Sequence, residues 1–444
     1  MNVKNTSHRK HAIVIGASLG GLLTARVLSN HFEQVTILEK DTVNREPESR
    51  KGQPHTRHLH GLLPMGLNIM LNYFPDLMEA LEESGANILD FAESMQWYTH
   101  GGYRKKFNIG MKGITASRPL IEHLIRERVL ALPGIKLIDN CSVKQLLTSQ
   151  GNQHVTGVIA VQKNNEQTIS LDADLVADVS GRGSKTFQWL KDMGYEVPAV
   201  SEVKVDLSYT TRLYKRNPLD PRGKTWIFSS PQAPHEYRCG GAFAIEGDRW
   251  IVTVSGWHGQ ASPSNENEFI EYARNLPMPD VYDIIKTCEP ISEIMHYKYP
   301  CSLRKHFEKL KRFPAGYLVL GDAACSFNPV YGQGMSSAAM QAAALDVLLK
   351  KNTAADKLAK KFFKKAAKIV DIPWGMAVGE DFRYPETTGP KPAGTGIINK
   401  YVSLVHKATL KDKVVCEAFL KVMSLLKPPA SLFHPKIVWR VMTA

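Results

Sequence analysis

No stretch of this sequence approaches the ~20 consecutive apolar residues that a bilayer-spanning helix requires, so a membrane-embedded body is not expected. Cysteine is sparse: Cys141, Cys239, Cys288, Cys301, Cys325 and Cys416 are scattered and form no C-x-x-C pair. That spacing argues against a disulfide framework and against a structural zinc site, and fits reduced thiols in a cytoplasmic protein with no metal. The first ten residues, MNVKNTSHRK, are polar and run straight into a strand, with nothing resembling a secretory signal. No nucleotide-triphosphate loop, nucleophilic triad, internal repeat or low-complexity tract is present. No catalytic acid, base or nucleophile can be assigned from the sequence. Acidic residues are in deficit, 43 Asp and Glu against 56 Lys and Arg, for a net charge of +13.

What is present is ordinary for a soluble enzyme: 444 residues, 43% hydrophobic and 22% charged. That length suits one intimate two-domain body. Part of the positive charge is local, in eight lysines between Lys350 and Lys368. Leu358, Phe362, Ala366 and Ile369 recur among them at helical spacing, so a basic helix over 350–370 with one apolar face is predicted. Such a helix reads as a solvated surface helix or as one lying on a membrane surface. With no recognition motif beside the charge, a nucleic-acid partner is not expected.

Residues 11–15, HAIVI, suit a buried parallel strand. Gly16-Ala17-Ser18-Leu19-Gly20-Gly21 follows, then a helical pattern, then a second apolar run ending at Glu39-Lys40. Strand, tight turn, helix, strand and an acid about twenty residues on is the order of a dinucleotide site. Gly16 allows the sharp turn, Gly21 lets the helix lie close on the sheet, and the helix N-terminus favours a diphosphate. Glu39 is placed to accept hydrogen bonds from ribose hydroxyls. Ser18 replaces the usual middle glycine; it is small, and its hydroxyl can donate to a phosphate oxygen. Alone, this turn does not separate NAD from FAD.

The second turn does. Residues 316–322, GYLVLGD, read as a buried strand ending in Gly321-Asp322, followed by Pro329, Gly332-Gln333-Gly334-Met335 and a helix of small residues. Asp322 can accept from ribityl hydroxyls, Pro329 stiffens the turn, and Gly332 and Gly334 leave room for a flat ring. A helix N-terminus aimed at the ring edge would stabilise negative charge there on reduction.

The pattern G-D-A-x-x-x-x-x-P-x-x-G-Q-G-M, together with the N-terminal turn, resembles the FAD-dependent monooxygenases of the aromatic-hydroxylase superfamily, which includes squalene-epoxidase-like and geranylgeranyl-reductase-like enzymes. Two further stretches carry the resemblance. Asp174 to Ser184 is similar to the D-x-V-x-D-x-x-G-x-x-S stretch that returns the chain to the cofactor domain, and Ser117-Arg118-Pro119-Leu120 opens a helix where relatives place an arginine near the FAD phosphates. The segment from Gln53 to Leu63, with His55, His58 and His60, is similar to one found in a bacterial branch related to olefin epoxidases, in which Arg57 would neutralise phosphate or ring charge. The resemblance spans roughly residues 10–350.

It implies an α/β fold: a Rossmann-like, GR2-type FAD-binding domain with an inserted antiparallel-sheet substrate domain and a helical C-terminal region. The expected boundaries are 1–185 for the N-terminal FAD-binding segments, 186–300 for the substrate sheet, 301–350 for the returning FAD-binding segment and 351–444 for the helical remainder. Trp97, Tyr209, Tyr214, Trp226, Phe228, Phe243 and Trp257 are candidate cavity aromatics, although an aromatic on a sheet is more often core. Arg182 is readable as a cofactor contact or a surface ion pair. The three histidines, without carboxylate or cysteine partners, are weak as a metal site.

The activity the resemblance implies is monooxygenation. NAD(P)H would serve as a transient electron donor, O2 as co-substrate and an apolar small molecule as the acceptor of one oxygen atom. Two alternatives stay open: a flavin-dependent reductase of isoprenoid double bonds, and a non-catalytic FAD-holding redox protein. A flavin halogenase is disfavoured because no W-x-W-x-I-P segment is found.

Overall fold

The computed structural model describes residues 9–260 and 263–444. Most of the N-terminal stretch in which no secretory signal is read, residues 1–8, lies outside the described residues. A five-stranded parallel sheet forms the first body, in the order Tyr317–Val319, Leu175–Asp178, His11–Ile15, Gln34–Leu38, Ile135–Ile138. Its central strands are largely apolar because both faces are covered, as parallel sheets require; Ala12, Ile13, Val14, Val176 and Leu318 are fully buried, while the edge strand Ile135–Ile138 keeps Lys136 exposed. Register decides what this sheet presents. Ile15 pairs with Leu38 and with Asp178, and Asp178 pairs with Val319. The strands therefore end level, and the segments that follow (Gly16, Glu39, Val179 and Gly321-Asp322) emerge along one edge, where α/β sheets bind ligands.

Helix Leu19–Leu28 packs on this sheet, and helix Gly334–Lys350 packs on Leu19–Leu28 and on the turn Gly321–Ala323. A three-stranded antiparallel sheet, Thr168–Asp172, Val155–Gln162, Cys141–Thr148, fills the excursion before the return strand Leu175–Asp178.

The second body is an eight-stranded sheet in the order Cys325–Ser326, Met295–Lys305, Val200–Lys215, Arg249–Gly256, Arg238–Ile245, Trp226–Ser229, Met95–Thr99, Gly102–Tyr103. Its membership is wider than the expected 186–300. Met95–Thr99 and Gly102–Tyr103 join from the N-terminal segment, and Cys325–Ser326 from the returning one. Met95–Thr99 pairs in parallel with Trp226–Ser229, so the sheet is not purely antiparallel. Five residues with alternating burial hold too little local signal to say which sheet they join; only the partner strand settles it.

One face of this sheet packs on helices Glu266–Arg274 and Asp280–Thr287 through Tyr214, Trp250, Phe269 and Ile284. Over the other face lie the C-terminal helices Thr395–Ala408, Lys413–Met423 and Pro435–Thr443, in one apolar cluster with Trp97, Trp226 and Phe243.

The basic stretch 350–370 is not one helix. Gly334–Lys350 ends at Lys351, and a 27-residue helix, Ala355–Asp381, begins after a turn. Leu358, Phe362 and Ala366 are buried in the main core, while Lys357, Lys360, Lys361, Lys364, Lys365 and Lys368 are exposed. The face that would enter a membrane interface is thus spent on internal packing, and the helix shows solvent mainly its lysines. Among the described residues no helix is long and apolar enough to cross a membrane, and all six cysteines are free.

Candidate cofactor and substrate site

The first turn is built by close backbone approaches. Gly16 sits at φ +105°, and a Cβ there would lie 2.7 Å from the Val179 carbonyl oxygen, so both conformation and space exclude a side chain. A Cβ on Gly21 would lie 1.8 Å from the Gly16 carbonyl oxygen. Gly21 thus serves the seating of helix Leu19–Leu28 on its own turn. Ser18 is the helix N-cap, and its hydroxyl makes no capping bond.

Around this turn lies a buried charge network. Glu39 accepts the Ala17 N–H (2.8 Å) and the Asp41 N–H (3.0 Å) and pairs with Arg50 (3.0 Å). Arg50 reaches on to Glu122 (2.6 Å), which also pairs with Arg118 (3.1 Å) and accepts the Leu19 N–H (3.1 Å). The Nη1 of Arg118 is buried and has no hydrogen-bond partner among the described residues. A buried guanidinium left partly unsatisfied is costly. Here it lies on the wall of a cavity, where an anionic ligand would satisfy it.

The second turn is tied from both sides. Gly321 donates its N–H to Gln341 Oε1 (3.1 Å), and Asn328 caps the short turn Pro329–Tyr331 by accepting the Val330 N–H (3.1 Å). Gly332, at φ +69°, ends that turn. No heavy atom lies within 4 Å of where a Cβ of Gly332 or Gly334 would be. Among the described residues Asp322 takes no hydrogen bond or ion pair, and it opens onto the cavity. Desolvation raises its pKa, opposed by Arg182 and Arg118. The return motif holds the turns together: Asp174 accepts the N–H groups of Lys10 and His11 (2.7 and 3.1 Å), and Asp178 accepts from Ser180, Ser184 and Thr186.

Both turns face one cavity of about 1100 Å³. From the first turn it is lined by Gly16, Ser18, Leu19 and Gly20, with Glu39, Lys40 and Arg118 beside them. From the second it is lined by Gly321, Asp322, Pro329, Gly332, Gln333, Gly334 and Met335. Two expected residues are not on its wall: Gly21, whose role is internal packing, and Arg57, which is exposed. The arginine brought to the first turn is Arg50, three residues before that segment begins. Arg182 makes no surface ion pair; it donates to the Cys301 carbonyl (2.9 Å) and Ser326 Oγ (2.7 Å) and lies over the Tyr299 ring.

Of the aromatic candidates, six line the cavity and Tyr214 does not. Tyr209 and Tyr214 are five residues apart on one strand and so face opposite sides of the sheet. His55, His58 and His60 also line it. Burial, with nearby arginine and histidine charge, pushes their pKa values down to about 4, 3 and 3, so all three are neutral at physiological pH. His60 donates from Nδ1 to the His58 carbonyl (2.8 Å), leaving Nε2 as an acceptor, and His58 bonds Thr211 (2.7 Å). No cluster of three metal-binding side chains occurs among the described residues.

Two parts of the site lay outside the sequence reading. Glu122 stands four residues after Arg118 on one helix, a spacing that marks an ion pair. Asp381, which accepts from Asn328 Nδ2 (2.8 Å) and Tyr331 OH (3.1 Å), comes from a helix some fifty residues away and had no local signal.

No family model matches the chain. Protein Rv3254 of Mycobacterium tuberculosis is 30% identical to it over 443 residues, covering 94% of this chain and 90% of that protein. Among solved structures, a flavoprotein/dehydrogenase from Cytophaga hutchinsonii matches with TM-score 0.69 at 14% identity, covering 98% of this chain and 97% of that one. The flavin-dependent brominase Bmp2 matches with TM-score 0.68 at 13% identity, covering 98% of both. PqsL of Pseudomonas aeruginosa, a probable FAD-dependent monooxygenase, matches with TM-score 0.61 at 16% identity, covering 85% of this chain and 98% of that one. The chain belongs to the family of Protein Rv3254, and its fold is that of the FAD-dependent monooxygenases and halogenases.

Proposed function

We propose that the protein is an FAD-dependent monooxygenase that hydroxylates or epoxidises a lipophilic small molecule, with NAD(P)H as transient reductant and O2 as co-substrate. The observation that carries this reading is the sharing of one cavity by two glycine turns and an aromatic wall. The lining fits the cofactor: the partnerless Arg118 Nη1 suits a diphosphate, Glu39 a ribose, Asp322 a ribityl chain, and the open space at Gly332 and Gly334 a flat ring. When bound, FAD would supply the redox chemistry, accepting hydride from the nicotinamide and activating oxygen.

The remaining work falls to the chain. Helix Gly334–Lys350 directs its N-terminus at the second turn and would favour negative charge on a ring edge there. Phe228, Phe243 and Trp97 exclude water and orient an apolar substrate. Neutral His55, His58 and His60 line the cavity without adding charge.

The test is purification with FAD, followed by reduction with NADH or NADPH under air and under nitrogen. A yellow protein whose flavin bleaches anaerobically, and which consumes O2 when air is admitted, supports the proposal. Product formed only without O2 and lacking an added oxygen atom would identify an isoprenoid-type reductase instead. Flavin that neither nicotinamide bleaches would leave a non-catalytic redox protein.

A further inference from the structure

The aromatic wall of the cavity, Trp97, Phe228, Phe243 and Phe419, continues to His406 and His100, which also line the cavity: the His406 ring packs on Phe419 and His100 on His406. Directly behind His406 lies Arg104, 4% exposed. Its guanidinium is sandwiched over the rings of Trp97 (4.1 Å) and Phe419 (4.2 Å). It donates to Thr409 Oγ1 and, at 2.7 Å, to His406 Nδ1, while its Nε has no partner. Among the described residues no carboxylate lies within ion-pair distance of it. The Cys416 thiol beside it is itself pushed up to about 11 by burial, and the carboxylate that acts on it from farther off, Glu380, is held by Arg383 through two bonds of 2.7 and 3.0 Å.

This is an anomaly that the protein alone does not resolve. A guanidinium keeps its charge, and buried charges ordinarily have a partner. Two aromatic faces offset part of the cost but carry no net charge. The neighbours add none either: burial, together with Arg104 and Arg383, keeps His406 well below its usual pKa and His100 down to about 4. A guanidinium can only donate, so His406 Nδ1 accepts, and its proton sits on Nε2. His406 therefore offers an N–H donor, polarised by a cation, on the cavity wall. His100 stacks on it, ring centres 5.0 Å apart and 15° from parallel.

We infer that this part of the cavity receives an acid group, and that the substrate is an apolar, ring-bearing molecule ending in a carboxylate or an equally acidic enol or phenol. The anion would lie against His406 and His100 with Arg104 as the fixed counter-charge behind them. The apolar body would run past Trp97 and Phe243 toward the flavin turns. A neutral molecule of the same shape would fill the same space and leave the charge of Arg104 unanswered. The inference rests on the reading of this cavity as the substrate site of a flavin enzyme.

The test uses the full-length, FAD-loaded protein and two probes of one shape, naphthalene-2-carboxylate and its uncharged methyl ester, compared by equilibrium dialysis. Flavin content, read from its absorbance, is scored separately, so loss of the cofactor and loss of acid recognition are distinct outcomes. The acid should bind on the order of tenfold more tightly than the ester, the scale of one charge-assisted hydrogen bond. Arg104→Met should bring the two affinities within about twofold while the ester still binds, and Arg104→Lys should keep a preference for the acid. His406→Phe, which keeps the ring and removes the N–H, should narrow the preference even if Arg104→Met does not fold. Equal binding of acid and ester by the unaltered protein, no binding of either, or a preference that survives both Arg104→Met and His406→Phe overturns the inference.

Discussion

Replacing Asp381 by asparagine isolates one buried carboxyl group. Asp381 closes helix Ala355–Asp381, is 0% exposed, and accepts from Asn328, Tyr331 and Trp257 on one oxygen. Its other oxygen is buried and has no hydrogen-bond partner among the described residues. Burial raises the carboxyl from 3.8 to about 7, with the three donors opposing. That is a shift of about three pH units, on the order of 4 kcal/mol at 1.36 kcal/mol per unit.

The sign follows from proton binding. Below about pH 4 the group is protonated whether folded or unfolded. Between 4 and 7 the folded chain keeps a proton that the unfolded chain releases, so stability falls as pH rises, and above 7 the full cost is present. Asparagine does not titrate and removes this slope. The free-energy difference between variant and parent should therefore change by about 4 kcal/mol in the variant's favour from pH 4 to pH 8. Any fixed cost from the asparagine amide only offsets the curve. Urea denaturation followed by tryptophan fluorescence across that range measures it. A difference that stays flat would refute the burial argument.

Asp322→Ala should lower flavin occupancy sharply, read as absorbance per chain; full yellow colour in that variant would count against the assignment of the second turn. Gly21→Ala pushes a methyl to 1.8 Å from the Gly16 carbonyl, and should lose both flavin and several degrees of melting temperature. Glu122→Gln leaves Arg50 and Arg118 short of a buried counter-charge and should destabilise the flavin-free protein by about 3–5 kcal/mol. Added FAD should restore part of that loss, and an unchanged melting curve without FAD would show that the network contributes little.

The two glycine turns were legible because each is written in one short segment: an apolar strand, a residue with no side chain, and a helix beginning. Tyr209 and Tyr214 were separable in principle, since strand parity places them on opposite faces. The arginine at the first turn was harder. Arg50 and Arg57 stand seven residues apart in a loop without periodicity, and only the fold brings Arg50 to Glu39 and Glu122. The same holds for Met95–Thr99, whose sheet is chosen by Trp226–Ser229. It holds again for Asp381, which meets the flavin turn through tertiary packing alone. The basic stretch after Lys350 was legible as a surface helix with a solvated basic face; its spacing did not mark the break before Ala355, nor that the partner of the apolar face is the protein's own core.

The interleaving of the two sheets has a bearing on biosynthesis. The parallel sheet draws its strands from residues 11 to 319 and the mixed sheet from 95 to 326. A ribosome must therefore deliver nearly three quarters of the polypeptide before either sheet can close. Until then the edge of Leu175–Asp178 that awaits Tyr317–Val319 stays unpaired, a template for wrong pairing with other nascent chains. Cutting the gene near residue 185 should yield two insoluble fragments, and high-level expression should benefit from slow translation or an abundant holding chaperone.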